Sequence, residues 1–249
     1  MCLIVFGWQV HPKFPLVVAA NRDEFFARPT RLAGHWTDYP QVMGGIDLQA
    51  GGTWLGVTGT GRFAAITNVR EPKMPPGQQS RGALTRNFLI SDLSAETYAS
   101  GIDGSEYAGY NLLLGDGQNL VYCSNRTPAP LVLPAGVYGL SNHVLDSEWP
   151  KLVKARQQFS VALESLPDEA GFFDLLSDRS IAADQDLPNT GVALEWERLL
   201  SAVFVQSEAY GTRASTLVLQ DKNGMIKLSE RSFGPGGELT HASVISTSV

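Results

Sequence analysis

The sequence predicts an α+β fold in which two packed, mainly antiparallel β-sheets carry helices on their outer faces. Three observations lead there. The chain opens on two apolar runs, residues 3–8 and 15–21, of strand length and uninterrupted, as strands buried on both faces are. Further strand-like runs come in pairs around turns rich in Gly and Asp, which is the pattern of hairpins. The helical patterns fall in blocks between those pairs, which disfavours βαβ units and a parallel sheet. With 249 residues, 43% of them apolar, the chain can close one core without a disulfide or metal staple, and residues 1–249 read as a single domain.

In chain order, the turn-like Val10-His11-Pro12-Lys13 joins the first two runs into a central hairpin. Residues 28–52 mix Pro, Gly, Asp and Tyr without a sustained period, so a long surface loop is expected. Thr53-Trp54-Leu55-Gly56-Val57 and residues 62–69 flank Thr58-Gly59-Thr60-Gly61 as a second hairpin, with Asn68 at its far end. Residues 72–77 are Pro-rich and break the pattern. From Ser80 a helical stripe runs through Leu84, Phe88 and Leu89, and Ser94-Ala95-Glu96 has the composition of a second helix start. Residues 110–115 and 120–124 make a third hairpin around Asp116-Gly117-Gln118-Asn119.

Residues 136–142 form a strand that delivers Ser141-Asn142-His143 at its end. A helix follows from Pro150, which suits a first turn, to about residue 166, with Leu152, Val153, Arg156, Phe159 and Leu163 at helical spacing. Residues 168–176 are expected to be helical and 184–194 to be a polar surface loop. Strands at 202–205, 212–220 and 225–229 end the pattern, the last two joined by Asp221-Lys222-Asn223-Gly224.

A formal net charge of -6 and a sequence isoelectric point near 5.2 argue against a nucleic-acid partner, which needs clustered Lys and Arg. A neutral or cationic small molecule, or a protein, is expected instead. The two cysteines, Cys2 and Cys123, form neither a disulfide framework nor a CxxC pair, which fits a cytoplasmic setting. The opening apolar run lacks a basic flank and breaks at Gln9, too short for a secretory segment or a span, so no stable membrane insertion is expected. His11, His35, His143 and His241 lack metal-ligand spacing, and Gly44-Gly45 and Gly51-Gly52 lead into no phosphate loop, so no metal or cofactor is expected. The sequence leaves oligomeric state open.

The chemistry concentrates at Cys2. With Met1 removed, residue 2 would carry a thiol and an α-amino group together at the start of a buried strand. An α-amino group titrates near about 8 and a free thiol near about 8.5, so the amine can take the thiol proton without a histidine. The thiolate is the form that attacks a carbonyl carbon. Asn21-Arg22-Asp23-Glu24 offers a guanidinium to favour thiolate, carboxylates to hold an ammonium and an amide to orient either. The plainer reading of Cys2 is a small buried hydrophobe, which is the usual fate of a free cysteine and the expectation for Cys123.

Cys2, Asn21-Arg22-Asp23-Glu24, Thr67-Asn68-Val69-Arg70, Gly139-Leu140-Ser141-Asn142 and Gly211-Thr212-Arg213-Ala214-Ser215-Thr216 together resemble the NRDE, or transport and Golgi organisation 2-like, family, essentially end to end. That family is similar in turn to N-terminal nucleophile hydrolases of the choloylglycine hydrolase and penicillin V acylase type, αββα sandwiches that cleave linear amides with a processed cysteine. The resemblance implies Cys2 as nucleophile, Asp23 as the carboxylate that positions its amine, and Asn142 as an oxyanion donor. It implies Arg213 as an arginine lining the same site and Asn68 as a second polar group there. Asn21, Arg22, Trp54 and His143 are expected as binding residues around them. The hydrolases carry an arginine three residues before their aspartate, whereas this chain has Ala20 there and its guanidinium at Arg22. In an extended strand Asn21 and Asp23 share one face and Arg22 takes the other, so Arg22 is expected to support structure away from Cys2.

Two functions stand as expectations. One is a cysteine N-terminal nucleophile hydrolase acting on a carbon–nitrogen bond of a small amide. The other, from a different class, is a binding or carrier protein of the same fold for an apolar ligand such as haem or a lipid.

Overall fold

A computed structural model describes residues 2–75 and 77–247 of the chain. Met1, whose removal the hydrolase reading requires, lies outside the described residues, as does Pro76 within the Pro-rich break. The expected central hairpin is β1 (Cys2–Trp8) with β2 (Leu16–Phe25), followed by β3 (Thr30–His35) and β4 (Val42–Asp47). The second hairpin is β5 (Leu55–Thr58) with β6 (Phe63–Asn68). Helices α1 (Arg81–Leu89) and α2 (Ala95–Ser100) come next, the Ser94 side chain accepting from the Thr97 N–H to cap the second. Strands β7 (Tyr110–Gly115), β8 (Leu120–Ser124), β9 (Leu131–Val132) and β10 (Gly136–Leu140) lead to α3 (Pro150–Glu164), α4 (Ala170–Leu176) and α5 (Leu194–Leu200). The chain then adds β11 (Tyr210–Gln220), β12 (Ile226–Phe233) and β13 (Leu239–Thr247).

Among the described residues two antiparallel sheets result, a six-stranded one in the order β10-β1-β2-β11-β12-β13 and a seven-stranded one running β3 to β9 in sequence order. Alternation along each strand fills three apolar layers. Ile4, Phe6 and Val18 from the first sheet meet Met43, Leu55 and Leu113 from the second in the middle layer. Leu3, Val5, Val17 and Ala19 face the other way, onto Phe159 of α3 and Phe172 of α4. Ala64, Ile66 and Leu112 on the outer side of the second sheet pack against Leu84 and Phe88 of α1. The architecture is therefore the αββα sandwich that the sequence reading expected.

Three expectations for local structure are corrected. Residues 28–52 are not one long loop, because β3 and β4 pair within them and β4 continues onto β5. Gly44-Gly45 read as a loop, but a Cβ at Gly45 would stand 2.1 Å from the Trp54 ring, so the glycine serves a close approach within the sheet. Residues 202–205 are buried yet form no strand. Their backbone is taken up otherwise: the Phe204 N–H donates to the Asp178 carbonyl at 2.8 Å, and the Val205 N–H to the Thr212 hydroxyl at 2.9 Å. The third correction adds α5 and the edge strand β13, whose largely exposed Thr, His and Ser residues carry no apolar run to read.

Candidate active site

The ends of β1, β2 and β6 and the start of α1 enclose a cleft of about 410 Å³ whose lining includes Cys2, Arg22, Asp23, Trp54, Asn68 and Arg81. Cys2 is half-buried, and its carbonyl accepts from the Ser141 hydroxyl at 3.1 Å. That bond ties the first residue of β1 to the segment leaving β10. Across the hairpin Cys2 stands directly opposite Arg22, and directly opposed residues of an antiparallel pair share a face. The expected separation of Arg22 from Cys2 is thus corrected. Alternation does put Arg22 on the face opposite Asn21 and Asp23, but that is the face Cys2 occupies.

Arg22 is held in place from several sides. Its guanidinium lies 4.3 Å from the centre of the Trp54 ring, 3.9 Å from Asp47 and 3.4 Å from the Thr30 hydroxyl, to which it donates. Asp47 in turn accepts from Arg28 Nε at 2.7 Å. Burial pushes the Cys2 thiol above its ordinary pKa, while Arg22 and the Asp23 backbone N–H pull the other way by favouring thiolate.

Asp23 points to the helix layer, essentially inaccessible to solvent. Its Oδ1 accepts from the Thr212 hydroxyl at 2.7 Å, and its carbonyl accepts from the Tyr210 hydroxyl at 3.2 Å. Burial raises its pKa, opposed by Lys151, the Thr212 hydrogen bond and Arg70. Asn21, on the same face, braces the structure. Its Nδ2 donates to the carbonyls of Leu176 at 2.8 Å and Val203 at 2.9 Å, and its Oδ1 accepts from Ser215 at 2.6 Å.

Asn68 lines the cleft and Asn142 lies buried behind it, its Nδ2 donating at 3.0 Å to both the carbonyl and the side-chain oxygen of Asn68. The Arg70 N–H donates to the Asn142 carbonyl at 2.8 Å, and Thr67 Oγ1 to the Ser141 carbonyl at 2.6 Å. These bonds staple the ends of the two sheets together beside Cys2.

Arg213 and His143 are not brought into the cleft. The pairing of β11 with β2 shifts register between Thr212 and Ala214, a bulge that re-aims Arg213. Its guanidinium donates to the Phe25 carbonyl at 3.3 Å, to the Thr30 hydroxyl at 3.3 Å and to the Arg28 carbonyl, fixing the turn after β2. His143 is exposed, with its ring centre 5.9 Å from that of Trp149. Cys123 is buried in the outer core, its thiol pushed up to about 12 by desolvation.

Sequence reasoning missed Arg81, at the first position of α1, and the buried Lys151, Arg70 and Glu197. Arg70 Nη1 meets Glu197 Oε2 at 2.5 Å, and the Arg70 guanidinium lies 4.7 Å from the centre of the Trp149 ring. The available signal was a lysine in the first turn of a helix with no acid beside it, against the usual charge preference of that end. Among the described residues no three His, Cys, Asp or Glu side chains gather as a metal would require. No described helix is long and apolar enough to cross a membrane.

A family model for "Transport and Golgi organisation 2" matches residues 1–235. The mouse Transport and Golgi organization 2 homolog is 35% identical over 258 residues, covering 94% of this chain and 93% of its own length. The Drosophila melanogaster Transport and Golgi organization protein 2 is 28% identical over 275 residues, covering 96% and 95%. Among solved structures, a Caenorhabditis elegans N-acylethanolamine-hydrolyzing acid amidase ortholog superposes with a TM-score of 0.53 at 14% identity over 88% of this chain and 92% of that one. The C2A mutant of a conjugated bile acid hydrolase from Clostridium perfringens does so with a TM-score of 0.50 at 10% identity over 98% and 92%. At these identities the structural likeness establishes the N-terminal nucleophile hydrolase fold. The sequence match establishes more: the chain belongs to the Transport and Golgi organisation 2 family.

Proposed function

We propose that the protein is a cysteine hydrolase that uses Cys2, freed of Met1, to cleave a carbon–nitrogen bond in a small linear amide. The observation that supports this most is the half-buried Cys2 on the 410 Å³ cleft, opposite Arg22 and with Asn68 on the same lining. In the proposed reaction the Cys2 amine takes the thiol proton and Sγ attacks the substrate carbonyl. The tetrahedral oxyanion takes a hydrogen bond from Asn68, which Asn142 holds in place. The amine returns its proton to the leaving nitrogen as the carbon–nitrogen bond breaks, leaving a thioester on Cys2. Water activated by the same amine releases the acid, and the thiol is restored. Asp23, buried beside the strand end, orients the amine. Arg22 and the Asp23 N–H favour the thiolate, and Arg213 serves the frame of the site.

The proposed setting is the cytoplasm, in keeping with two unpaired thiols. The alternative, a carrier for haem or a lipid-like molecule, draws less support from a cleft whose lining includes Arg22, Arg28, Arg81, Glu24 and Asp47. Intact-mass analysis of purified protein treated with iodoacetamide tests the proposal. A chain beginning at Cys2 and labelled there is expected; uniform retention of Met1 would sink the catalytic version.

A further inference from the structure

The chain as a whole carries a net charge of -6, but the wall of the cleft reverses that balance. Its lining brings Arg22, Arg28 and Arg81 together against the carboxylates of Glu24 and Asp47. Asp23 also borders the cleft, yet its carboxylate accepts from Thr212 on the helix side of β2. Two of the arginines are already engaged. Arg28 meets Asp47 at 2.7 Å and Glu24 at 3.8 Å, and Arg22 stacks on Trp54 with Asp47 at 3.9 Å. Arg81 differs from both. Its Nη1 donates to the Gly109 carbonyl at 3.0 Å, and among the described residues no carboxylate lies within ion-pair distance of it and no ring stacks on it.

The sequence places this cation where a helix least favours one. Arg81 is the first residue of α1, whose first turn holds no acidic side chain, so its charge meets the positive end of the helix dipole. It is also half-buried, and burial draws its pKa below the ordinary arginine value. Both ends of the residue are fixed. The Thr53 N–H donates to the Gly82 carbonyl at 3.3 Å and the Thr85 hydroxyl to the Thr53 carbonyl, which seats the first turn of α1 beside the cleft. Gly52 permits this approach, since its φ is +80° and a Cβ there would stand 2.1 Å from the Gly82 carbonyl oxygen. Gly109 holds the tip of the side chain. An arginine anchored in this way has little freedom left to lose when a ligand binds. A guanidinium has five donors, so a single carbonyl leaves its charge and most of its fork unspent.

We propose that Arg81 is the anion-recognising residue of the cleft, and that the substrate is a linear amide carrying one carboxylate, which pairs with Arg81 while the amide carbonyl faces Cys2 and Asn68. This rests on the hydrolase reading of Cys2 and narrows its substrate class. A carboxylate matches the planar fork of a guanidinium with two parallel hydrogen bonds. One negative charge suits the cleft better than two. Three arginines against two carboxylates leave one unit of positive charge for a ligand, and Glu24 and Asp47 repel any further negative charge. A space of about 410 Å³ is large enough for one small molecule to touch Cys2 and Arg81 together.

The test measures labelling of Cys2 in the full chain by two matched pairs of reagents: iodoacetate against iodoacetamide, and N-iodoacetylglycine against N-iodoacetylglycinamide. Within each pair the reagents differ by one negative charge, so the ratio of their rates cancels any change in thiol ionisation. Wild type is expected to favour the anion in at least one pair by about three- to tenfold relative to free cysteine. Arg81→Gln is expected to bring that ratio down to the free-cysteine value, and Arg81→Lys to keep part of it. Arg86→Gln, which removes another cation of α1 that lies 5.5 Å from the centre of the Tyr39 ring, is expected to keep it in full. Free-cysteine ratios for both pairs in wild type overturn the proposal. So does a preference that survives Arg81→Gln, or one that Arg86→Gln removes to the same extent, which would reflect the general field. Arg81→Met replaces Arg81→Gln if the latter does not fold. Labelling needs neither loss of Met1 nor turnover, so retained Met1 would defeat the hydrolase reading and leave this result readable.

Discussion

Asn142 spends its side-chain amide on Asn68, with Nδ2 at 3.0 Å from both the carbonyl and the side-chain oxygen of that residue. The buried asparagine is therefore the brace, and the one on the cleft is the group a substrate can meet. Loss of a single preorganised donor to an oxyanion costs about a hundred- to a thousandfold in turnover. Asn68→Ala is expected to slow acyl-enzyme formation from an acyl p-nitroanilide by that factor with little change in melting temperature. Asn142→Ala is expected to do the same and to lower the melting temperature as well, because it strands buried groups. Wild-type acylation in Asn68→Ala would remove Asn68 from the proposed chemistry.

Arg22 stands opposite Cys2 and holds its guanidinium against Trp54. Removing that charge leaves burial to dominate the thiol, so less thiolate is present near neutral pH. Arg22→Met is expected to slow alkylation of Cys2 at about pH 7 by roughly three- to tenfold, with Arg22→Lys in between. Rates read by mass spectrometry decide it, and equal rates in all three proteins would show the guanidinium to be purely structural.

The buried Arg70–Glu197 pair should behave asymmetrically under mutation. Glu197 also accepts from the Thr190 N–H at 2.8 Å and the Thr190 hydroxyl at 2.6 Å, so its loss removes the carboxylate that faces Arg70 and frees a loop. Glu197→Ala is expected to cost about 3–5 kcal/mol in urea denaturation, and the double change Arg70→Met with Glu197→Leu to cost less than Glu197→Ala alone. A double variant less stable than the single one would mean that the pair is net stabilising.

Lys151 gives stability a pH dependence of known sign. Burial lowers its pKa from 10.5 to about 8. A group depressed on folding contributes stability above its unfolded pKa and loses it as the pH falls through the folded value. The cost is therefore complete below about pH 8 and amounts to about 3 kcal/mol. Lys151→Met is expected to be more stable than wild type at about pH 7, with the gap closing as the pH climbs toward about 10.5. Denaturant melts across that range test it, and a gap independent of pH contradicts it.

Gly45→Ala connects the frame to the cleft. The added Cβ would stand 2.1 Å from the Trp54 ring, so the indole that stacks on Arg22 has to move. Destabilisation of about 1–3 kcal/mol is expected, together with a changed tryptophan fluorescence and slower Cys2 alkylation. Unchanged alkylation would uncouple Trp54 from the reactivity of Cys2.

Most strands and helices were legible because apolar periodicity is local: residues 3–8, 15–21 and 110–124 announce themselves without reference to the rest of the chain. Residues 202–205 misled for the same reason, being apolar through burial and held by the side chains of Asn21 and Thr212 and a single backbone bond from Thr212 instead of by a strand ladder. The strand β13 was silent because its partner β12 supplies the hydrogen bonds while its side chains stay in water.

By itself the sequence determined the two-sheet architecture, the place of Cys2 at the head of a buried strand, and the alternation that separates Arg22 from Asp23. Only the tertiary structure decided which of those faces belongs to Cys2, where the bulge sends Arg213, that Asn142 braces Asn68, and that Lys151 is buried against the Leu200 carbonyl. Alternation and spacing are properties of neighbouring residues, whereas register, bulges and the burial of a charge are settled when segments far apart in the chain compete for the same hydrogen bonds and the same dry volume.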